Sequence, residues 1–592
     1  MCGIFGIVGE KTKSYTDESL KSALNSLSKR GPDDSGILKF NKCVLGQTRL
    51  SIIDISGGHQ PMKDNEKNIA ITFNGEIYNY KELKKDLENK GHKFSTNSDT
   101  EVILKSYIEY GHKCLDYFDG MFAFAIWDNE KQLLFLARDR FGKKPLYYAF
   151  DDAGNLMFAS EIKALFASGQ IIGELDYGAI DNYLTLMYVP PRKTIYKNIH
   201  ILAPARFAVW KNGKLNVSRY WELPREPEKI AYNEARERIK ELFKQAVGKR
   251  LIADVEIGSF LSGGVDSTLV TAYAQAAMNR PIKTFSLGYG DYINELPYAE
   301  EASKKIGTDH YALRAINDLA QELKKVIEYM DEPHADSSNF PQNLISAFAS
   351  TKVKVALSGD GADELFMGYG WYQKHWHLPF RERLKQQIFS DPFEGYIKNI
   401  SIFSAEEKKK LWQSKIRPDA DIFTIKPMKS ANPIMKINDF DITIYLPGQL
   451  LSKIDRMGMM RSLEVRSPFL DHKLAEFVYG LPTEYKMNKY ENKIILKDIL
   501  SEIMPKEFVY RRKQGFGAPI AQWLKTKEFE ALTRETVGNA QGQMYSFLNP
   551  SYPQKLMTAF YNGKDEKVAY KLWVLLCLEL WLRSRASFIK FS

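Results

Sequence analysis

Between residues 231 and 357, short apolar runs alternate with longer amphipathic stretches. The short runs predict buried strands, and the longer stretches, with apolar residues at helical spacing, predict helices. The predicted strands are 257–261, 283–287, 310–313 and 353–357, and the predicted helices are 231–251, 268–278, 298–306 and 318–330. This alternation predicts an α/β domain with a parallel sheet, which binds ligands at the carboxyl ends of its strands.

The first part of the chain has a different pattern, in which strand-like runs are separated by polar turns. Residues 4–8 and 120–128 form continuous apolar runs and predict buried strands. Residues 73–79 predict a strand that leads into a turn, although the Asn74-Gly75 pair is also typical of a hairpin turn. Ser98 precedes a helical pattern and is expected to cap that helix.

The boundary between these two patterns is indicated by a polar, proline-bearing stretch at 220–227. Residues 199–209 predict a strand pair that closes the first part of the chain. We therefore expect a first domain at 2–210, a linker at 211–230 and a second domain at 231–592.

The last two hundred or so residues are predominantly helical in pattern. Residues 404–415 have the charged character of a surface helix, and residues 442–465 predict a helical hairpin. The apolar stretch 570–582 is too short for a membrane span and predicts a core helix.

The composition supports a soluble globular protein with more than one domain. The chain has 592 residues, of which 44% are hydrophobic and 26% are charged. Its formal charge of +10 is spread along the chain, so we expect no nucleic-acid partner. The four cysteines form no C-x-x-C pair and no secretory signal precedes them, which favours a reducing compartment, the cytoplasm.

The clearest chemical motif is the glycine loop Ser262–Ser267, which follows a predicted strand and precedes a predicted helix. Glycines allow close backbone approach, and N–H groups at a helix N-terminus attract a phosphate. The loop lacks the lysine of a Walker A motif. Its SGGxDS form resembles the PP-loop of the ATP pyrophosphatase family, which cleaves ATP between the α- and β-phosphates. An ordinary strand–helix turn is the alternative.

Two further motifs lie at predicted strand ends of the same sheet, at Ser286–Gly288 and Leu357–Glu364. The acid- and hydroxyl-bearing loop Asp331–Ser338 is expected near the same edge. The basic, glycine-containing stretch Arg511–Pro519 predicts a lid that contacts phosphates, or otherwise an exposed turn.

Cys2 is the candidate nucleophile of the first domain. If Met1 is removed, Cys2 carries both a thiol and an α-amine, and an α-amine with a pKa of about 7.7–8.0 can act as a base at neutral pH. The alternative is a small buried cysteine without a chemical role.

Several motifs of the first two hundred residues resemble class II glutamine amidotransferases, which have an α+β N-terminal-nucleophile fold of two stacked antiparallel sheets between helices. The matching motifs are Arg30–Asp34, Gly46–Asp54, Phe73–Asn79, Ser98–Glu101 and Ala137–Tyr148. The resemblance implies that Cys2 attacks the glutamine amide and that Asn74 and Gly75 hold the oxyanion. It also implies that glutamine is bound by Arg49, Leu50, Ile53, Asn74, Gly75, Glu76 and Asp99.

The second domain resembles the synthetase domain of glutamine-hydrolysing asparagine synthetases, almost from end to end. The matching motifs are the PP-loop, SGDGADE, SKIDRM, RSPFLD and RRKQGFGAP. The resemblance implies binding of ATP and pyrophosphate by Phe260, Ser262, Gly263, Gly264, Asp266, Ser267, Leu287, Ser358, Gly359, Asp363 and Lys493. It implies that Asp266 and Asp363 hold Mg²⁺ through pyrophosphate, that Asp360 is the base for the attacking amine, and that Lys493 or Lys497 contacts the α-phosphate.

Together, the two resemblances imply that glutamine supplies ammonia, which an internal channel carries to a β-aspartyl-AMP intermediate to give asparagine, AMP and pyrophosphate. The same architecture could act on another carboxylate, such as a sugar acid in polysaccharide assembly. A non-catalytic binding or storage protein is the third alternative, and the intact motifs argue against it. The family implies a homodimer through the first domain.

Overall fold

A computed structural model of the chain describes residues 1–224, 228–289, 295–315, 319–376, 392–416, 418–419, 433–511, 519–563 and 565–590. Most of the first part of the chain, up to Arg219, is arranged around two antiparallel sheets. Its strands are β1 (Gly3–Val8), β2 (Asp34–Lys39), β3 (Cys43–Arg49), β4 (Met62–Asp64), β5 (Ile69–Ile77), β6 (Gly120–Asp128), β7 (Leu133–Arg138), β8 (Tyr147–Phe150), β9 (Leu156–Ala159), β10 (Gly173–Glu174), β11 (Ile199–Ile201), β12 (Arg206–Lys211) and β13 (Lys214–Arg219). One sheet has the order β11-β8-β9-β1-β3-β2 and the other β13-β12-β7-β6-β5-β4.

Apolar side chains fill the space between these sheets, and helices cover their outer faces. Ile4 of β1 and Trp127 of β6 are fully buried in one cluster between the sheets. The covering helices are Asp17–Asn25 and Ile162–Ala167 on one side, and Tyr80–Asn89 and Asp99–Tyr110 on the other. Because β6 is covered on both faces, it appears in the sequence as a continuous apolar run. The predicted sandwich is confirmed.

The second part contains a parallel sheet with the order β16-β15-β14-β17-β18, where the strands are β14 (Ile257–Phe260), β15 (Lys283–Tyr289), β16 (Asp309–Ala315), β17 (Val355–Leu357) and β18 (Glu464–Arg466). Helices of this part up to β17 are Tyr232–Arg250, Val265–Ala276, Leu296–Ile306, Leu319–Tyr329 and Asn339–Ser350. The predicted strand–helix alternation is confirmed.

The rest of this part is mainly helical. Its helices are Ala362–Leu365, Gly370–Trp376, Pro392–Ile400, Ala405–Leu411, Pro433–Phe440, Asp441–Leu451 (a π-helical segment), Ser452–Met459, His472–Gly480, Thr483–Lys486, Ile494–Ser501, Lys506–Val509, Ile520–Leu524, Lys527–Thr536, Ser551–Tyr561 and Ala569–Arg585. Helix Ala569–Arg585 buries Trp573 and Trp581 almost completely, which confirms the predicted core helix.

Two predictions about local structure are wrong. The expected hairpin at 442–465 is instead a continuous helical run from Pro433 to Met459, followed by strand β18, because the π-helical segment accommodates Pro447. The strands predicted within 199–209 exist, but β11 joins the first sheet and β12 the second, so they do not pair with each other.

The two parts of the chain are packed directly against each other. Strand β19 (Ile589–Lys590), near the end of the chain, pairs with β10 of the first part. Buried ion pairs also cross the boundary, among them Arg30 with Asp455 at 2.7 Å and Arg466 with Glu76 at 3.4 Å. Within the described ranges, no helix is both long enough and apolar enough to cross a bilayer.

Candidate active sites

Cys2 lies immediately before β1 and is held by side chains from distant parts of the chain. Its backbone N–H donates to Asn74 Oδ1 at 3.1 Å, and its carbonyl accepts from Arg30 Nε at 3.1 Å. The thiol is buried, and burial raises its pKa, although the terminal ammonium and the nearby Arg49 act in the opposite direction. The predicted nucleophile and Asn74 are therefore in direct contact.

Asn74 and Gly75 lie in the middle of β5, opposite Ala123 and Phe122, so they do not form a hairpin turn. Gly75 has a φ of +154°, and a Cβ there would lie 2.0 Å from the carbonyl oxygen of Met121. Asn74 is fully buried, and its Nδ2 donates to no group among the described residues. A buried, unpaired donor beside Cys2 is what an oxyanion would require.

Arg49, Leu50 and Ile53 form one buried segment at and after the end of β3. The Arg49 guanidinium donates to backbone carbonyls of the following loop, at 3.0 Å to Ile53 and 2.7 Å to Asp54. This loop therefore fixes the guanidinium close enough to Cys2 for its charge to offset part of the rise in the pKa of the thiol that burial causes. The predicted glutamine-binding segment is adjacent to the nucleophile.

Glu76 and Asp99 bring two buried carboxyl groups together. Asp99, at the start of the helix that Ser98 caps, accepts a hydrogen bond from the N–H of Ile77 at 2.9 Å. Burial raises the pKa of Asp99 to about 6, and it raises the pKa of Glu76 well above its ordinary value. Each nearby negative charge adds to these shifts, so a cation at this position would be stabilised.

A residue of the second part, which no sequence motif pointed to, also reaches this site. The α-ammonium of Met1 lies 3.1 Å from Glu464 Oε2, and both side chains are at most 1% exposed. Glu464 Oε1 is paired with Arg466 Nε at 2.6 Å. Strand β18 of the parallel sheet therefore faces the amino terminus and Glu76.

The glycine loop has the predicted position between β14 and helix Val265–Ala276. Ser262 and Ser267 close the loop through their hydroxyl groups, which are 3.0 Å apart. Gly263 has a φ of +73°, and a Cβ there would lie 2.6 Å from the backbone of Tyr298. With Gly264 at the N-cap, the first N–H groups of the helix point towards the loop, as in an anion site.

Lys493 joins two acidic residues at this edge of the sheet. Its Nζ lies 2.6 Å from Asp266 and 2.6 Å from Asp363. Burial lowers the pKa of Lys493, but the two carboxylates outweigh it and raise the pKa above its ordinary value. Lys497 instead pairs with Glu491 at 3.0 Å. The geometry therefore favours Lys493 over Lys497 as the lysine at the phosphates.

The other predicted ATP-site residues lie at the carboxyl ends of neighbouring strands. Phe260 ends β14, Leu287 lies in β15, and Ser358 and Gly359 follow β17. A Cβ at Gly359 would lie 2.8 Å from Asp266 Cβ, so the two strand-end loops touch. Burial raises the pKa of Asp360, while Ser358 and Lys453 act against that shift.

A substitution at Gly368 tests whether the contact between Lys493 and Asp363 is needed for ATP-dependent turnover. A Cβ at Gly368 would lie 2.0 Å from both Asp363 Oδ1 and Lys493 Cε. We expect Gly368→Ala to force this pair apart and to lower ATP-dependent turnover about 10²-fold, because small displacements of positioning groups are costly. Pyrophosphate release measures the effect.

Gly370 provides the matched control, because among the described residues no atom beyond its chain neighbours and its own helix backbone lies within 4 Å of a Cβ placed there. Gly370→Ala should leave pyrophosphate release near the parent rate, and Gly368→Ala should leave glutamine hydrolysis intact. Equal rates of pyrophosphate release in the two variants would contradict the role assigned to the contact between Lys493 and Asp363.

A cavity and a buried charge cluster lie between the two parts of the chain. The cavity is lined by Tyr147 and Pro191 of the first part and by Met330 and Leu451 of the second. Beside it, Arg456 pairs with Glu161 at 2.6 Å. Because Arg30 contacts both Cys2 and Asp455, this cluster connects the nucleophile to the helix Ser452–Met459.

The loop Asp331–Ser338 has two different environments. Asp331 pairs with Arg456 at 3.0 Å in the charge cluster between the two parts. Asp336 pairs with Lys453 at 3.1 Å, and Lys453 also donates to Ser338 at 2.7 Å.

The predicted basic lid lies largely outside the described residues, which exclude 512–518. At its first residue, Arg511 donates to the carbonyl oxygen of Gly263 at 2.6 Å. The Arg511 guanidinium also lies over the ring of Tyr298, 3.7 Å from the ring centre. The start of the predicted lid therefore contacts the glycine loop.

Comparisons with known proteins match both parts of the chain. The family model "Asparagine synthase" matches residues 238–583, and the model "Glutamine amidotransferase domain" matches residues 1–221. Asparagine synthetase [glutamine-hydrolyzing] 3 of Bacillus subtilis (strain 168) is 33% identical over 89% of this chain and 90% of its own. Asparagine synthetase [glutamine-hydrolyzing] 1 of the same organism is 31% identical over 98% of this chain and 96% of its own.

Proposed function

This chain belongs to the family of glutamine-hydrolysing asparagine synthases, and we propose that it makes asparagine from aspartate, ATP and the amide nitrogen of glutamine. The observation that carries the proposal is the contact of Lys493 with both Asp266 and Asp363 beside the glycine loop. The same molecule holds Cys2 against Asn74 in a second site. An ATP-cleaving site and an amide-cleaving site are thus combined in one chain.

The glutaminase half reaction uses Cys2 after removal of Met1. The thiol sulfur attacks the amide carbon of glutamine, and the thiol proton passes to the α-amine of Cys2. Asn74 Nδ2 and the N–H of Gly75 stabilise the oxyanion. The C–N bond then breaks, and the amine returns its proton to the departing nitrogen. Ammonia is released, and the acyl group remains on the Cys2 sulfur as a thioester. Water hydrolyses the thioester to glutamate.

The glutamine molecule is oriented by charge. Arg49 receives its α-carboxylate, because a guanidinium can bind a carboxylate through two parallel hydrogen bonds. Its α-ammonium lies at the acidic pair Glu76 and Asp99, because burial raises both pKa values and a cation there would favour the charged carboxylates.

The synthetase half reaction takes place at the strand ends of the parallel sheet. A β-carboxylate oxygen of aspartate attacks the α-phosphorus of ATP, and the bond to the β-phosphate oxygen breaks to release pyrophosphate. Lys493 stabilises the charge that builds on the α-phosphate. Ammonia then attacks the acyl carbon of β-aspartyl-AMP, Asp360 accepts a proton from the attacking nitrogen, and AMP leaves.

Asp266 and Asp363 have the chemistry of a Mg²⁺ site, because their carboxylate oxygens converge on one cation, the Lys493 ammonium. When bound, Mg²⁺ neutralises charge on the pyrophosphate leaving group. Ser262, Ser267 and the N–H groups after Gly264 hold the phosphates beside it.

The cavity between the two parts is the route that we propose for ammonia. Ammonia must remain unprotonated to act as a nucleophile, and bulk water would both protonate and dilute it. Met330, Leu451 and Pro191 give part of the cavity wall an apolar surface, and Asp455 and Arg456 of the charge cluster line the same cavity.

We also propose a domain division on structural grounds. The first domain extends through β13 at Arg219, because β13 completes the second antiparallel sheet. The second domain begins with helix Tyr232–Arg250, and the residues between them form the linker.

An acceptor screen with ammonia as nitrogen source tests the proposed function. Aspartate should give ATP-dependent release of pyrophosphate and AMP in the presence of Mg²⁺, with asparagine as product. Sugar acids and other carboxylates serve as competing acceptors. Turnover with a sugar acid and none with aspartate would assign the chain to a sister amidotransferase.

A further inference from the structure

We propose that Glu464, on strand β18 of the synthetase domain, is a positioning residue of the glutaminase site. In the processed enzyme its carboxylate holds the α-ammonium of Cys2 and so sets the pH at which this amine becomes a base. The glutaminase site is then complete only when the synthetase domain is docked. This inference rests on the proposed role of Cys2 as the glutamine-cleaving nucleophile.

The pair formed by Met1 and Glu464 shows that a primary ammonium fits at this carboxylate. The two groups are 3.1 Å apart, and Glu464 is fully buried. Glu464 Oε1 is occupied by Arg466, whereas the partner that the structure describes for Oε2 is the α-ammonium of Met1. Removal of Met1 therefore takes away the cation opposite Oε2.

The new amino terminus lies within reach of that oxygen. The nitrogens of consecutive residues are at most about 3.7 Å apart, so the Cys2 nitrogen is at most about 7 Å from Glu464 Oε2. Water in the space left by Met1 can bridge them. Asn74 Oδ1 already accepts one N–H of this nitrogen, which leaves the other N–H groups of the processed α-ammonium available to further acceptors.

The surrounding charges favour a cation at this position. Glu76 of β5 and Asp99 of the adjacent helix lie close enough to Glu464 for their charges to interact. The nearby cations are Arg466 and Lys144. Arg49 and Arg30 lie on the far side of Cys2, near its thiol and its carbonyl.

Of the three acids, Glu464 is the one that keeps its charge most readily. Burial opposes ionisation, but the Met1 ammonium and Arg466 outweigh it and lower the pKa of Glu464 in the unprocessed chain, and Arg466 remains its partner when Met1 is removed. Glu76 and Asp99 are shifted in the opposite direction. Glu464 is therefore the stable anion that the α-ammonium meets.

The proposal predicts a change in a pH profile. A negative charge beside an amine raises the pKa of that amine, so Glu464→Gln should lower it and make the base available at lower pH. The acidic limb of kcat for glutamate release should move by about 1 pH unit towards acid. Ammonia-dependent asparagine synthesis should stay within about twofold, because Cys2 does not take part in it.

The experiment uses the full chain with Met1 removal verified by intact mass. Because Asp99 and Glu76 also feel the charge of Glu464, the limb is measured in kcat at saturating glutamine, when substrate occupies both. Glu464→Asp keeps the charge but withdraws it by one carbon, so its limb should shift in the same direction by less. If Glu464→Gln does not fold, the shift of the acidic limb in Glu464→Asp tests the proposal.

Asp119→Asn is the matched control, because Asp119 is also a buried carboxylate that pairs across the two parts, with Lys249. It should leave the limb in place. An unshifted limb in the Glu464 variants, an equal shift in the control, or a parallel loss of ammonia-dependent synthesis would each overturn the proposal. Absence of glutamate release from the parent enzyme would instead refute the proposed function of Cys2.

Discussion

Replacement of Cys2 by alanine is expected to abolish glutamine-dependent synthesis and to spare ammonia-dependent synthesis. The thiol forms the bond to the glutamine carbon, so its loss should lower glutamate release by at least ~10³-fold. Alanine is small, so removal of Met1 should still occur. Glutamate release and asparagine formation, each measured with glutamine or ammonium as the nitrogen source, separate the two sites.

Cys43→Ala controls for the loss of a buried thiol in the same sheet. Cys43 begins β3 and is fully buried between the two sheets, away from Asn74 and Arg49. This variant should retain both activities in its folded fraction. If Cys2→Ala reduced the glutamine-dependent and ammonia-dependent rates equally, the scheme with two separate sites would be wrong.

Replacement of Lys493 by methionine should stop adenylation whichever nitrogen source is supplied. The ammonium lies 2.6 Å from both Asp266 and Asp363, and we assign it to the α-phosphate. Loss of a preorganised charge at the reacting group costs about 10²–10³-fold in kcat. Pyrophosphate release in the presence of aspartate and ATP measures the effect, and glutamine hydrolysis should persist.

Lys497→Met is the matched substitution one helical turn further along the chain. Lys497 pairs with Glu491, and its ion pair therefore involves neither Asp266 nor Asp363. Its loss should change pyrophosphate release by no more than about threefold. A large loss in Lys497→Met together with a normal rate in Lys493→Met would reverse the assignment.

Local sequence signals predicted several of the candidate site segments. The glycine loop was predictable because strand, glycines and helix are neighbours in the chain, so one short segment carries the whole signal. Ser98 was predictable as a cap for the same reason, and the structure shows it accepting from the N–H of Thr100. The core helix near the end of the chain was predictable from its mostly apolar composition.

Local signals failed where distant segments determine the conformation. Asn74-Gly75 has turn chemistry, yet pairing with β6 on one side keeps both residues in a strand. Pro447-Gly448 is a breaking signal, but the π-helical segment absorbs it and the helix continues to Met459. In both cases tertiary packing overrides a weak local preference.

The sequence by itself predicted a glutamine amidotransferase part and an asparagine synthase part, which the family models match, since each motif is a short contiguous segment of the chain. Only the tertiary structure decided which lysine meets the aspartates, because Lys493 and Lys497 are a single turn apart and the aspartates that Lys493 contacts, Asp266 and Asp363, are more than one hundred residues away in the chain. It alone showed Glu464 at the amino terminus. Buried charges carry no local pattern, because they are stabilised by partners that folding supplies.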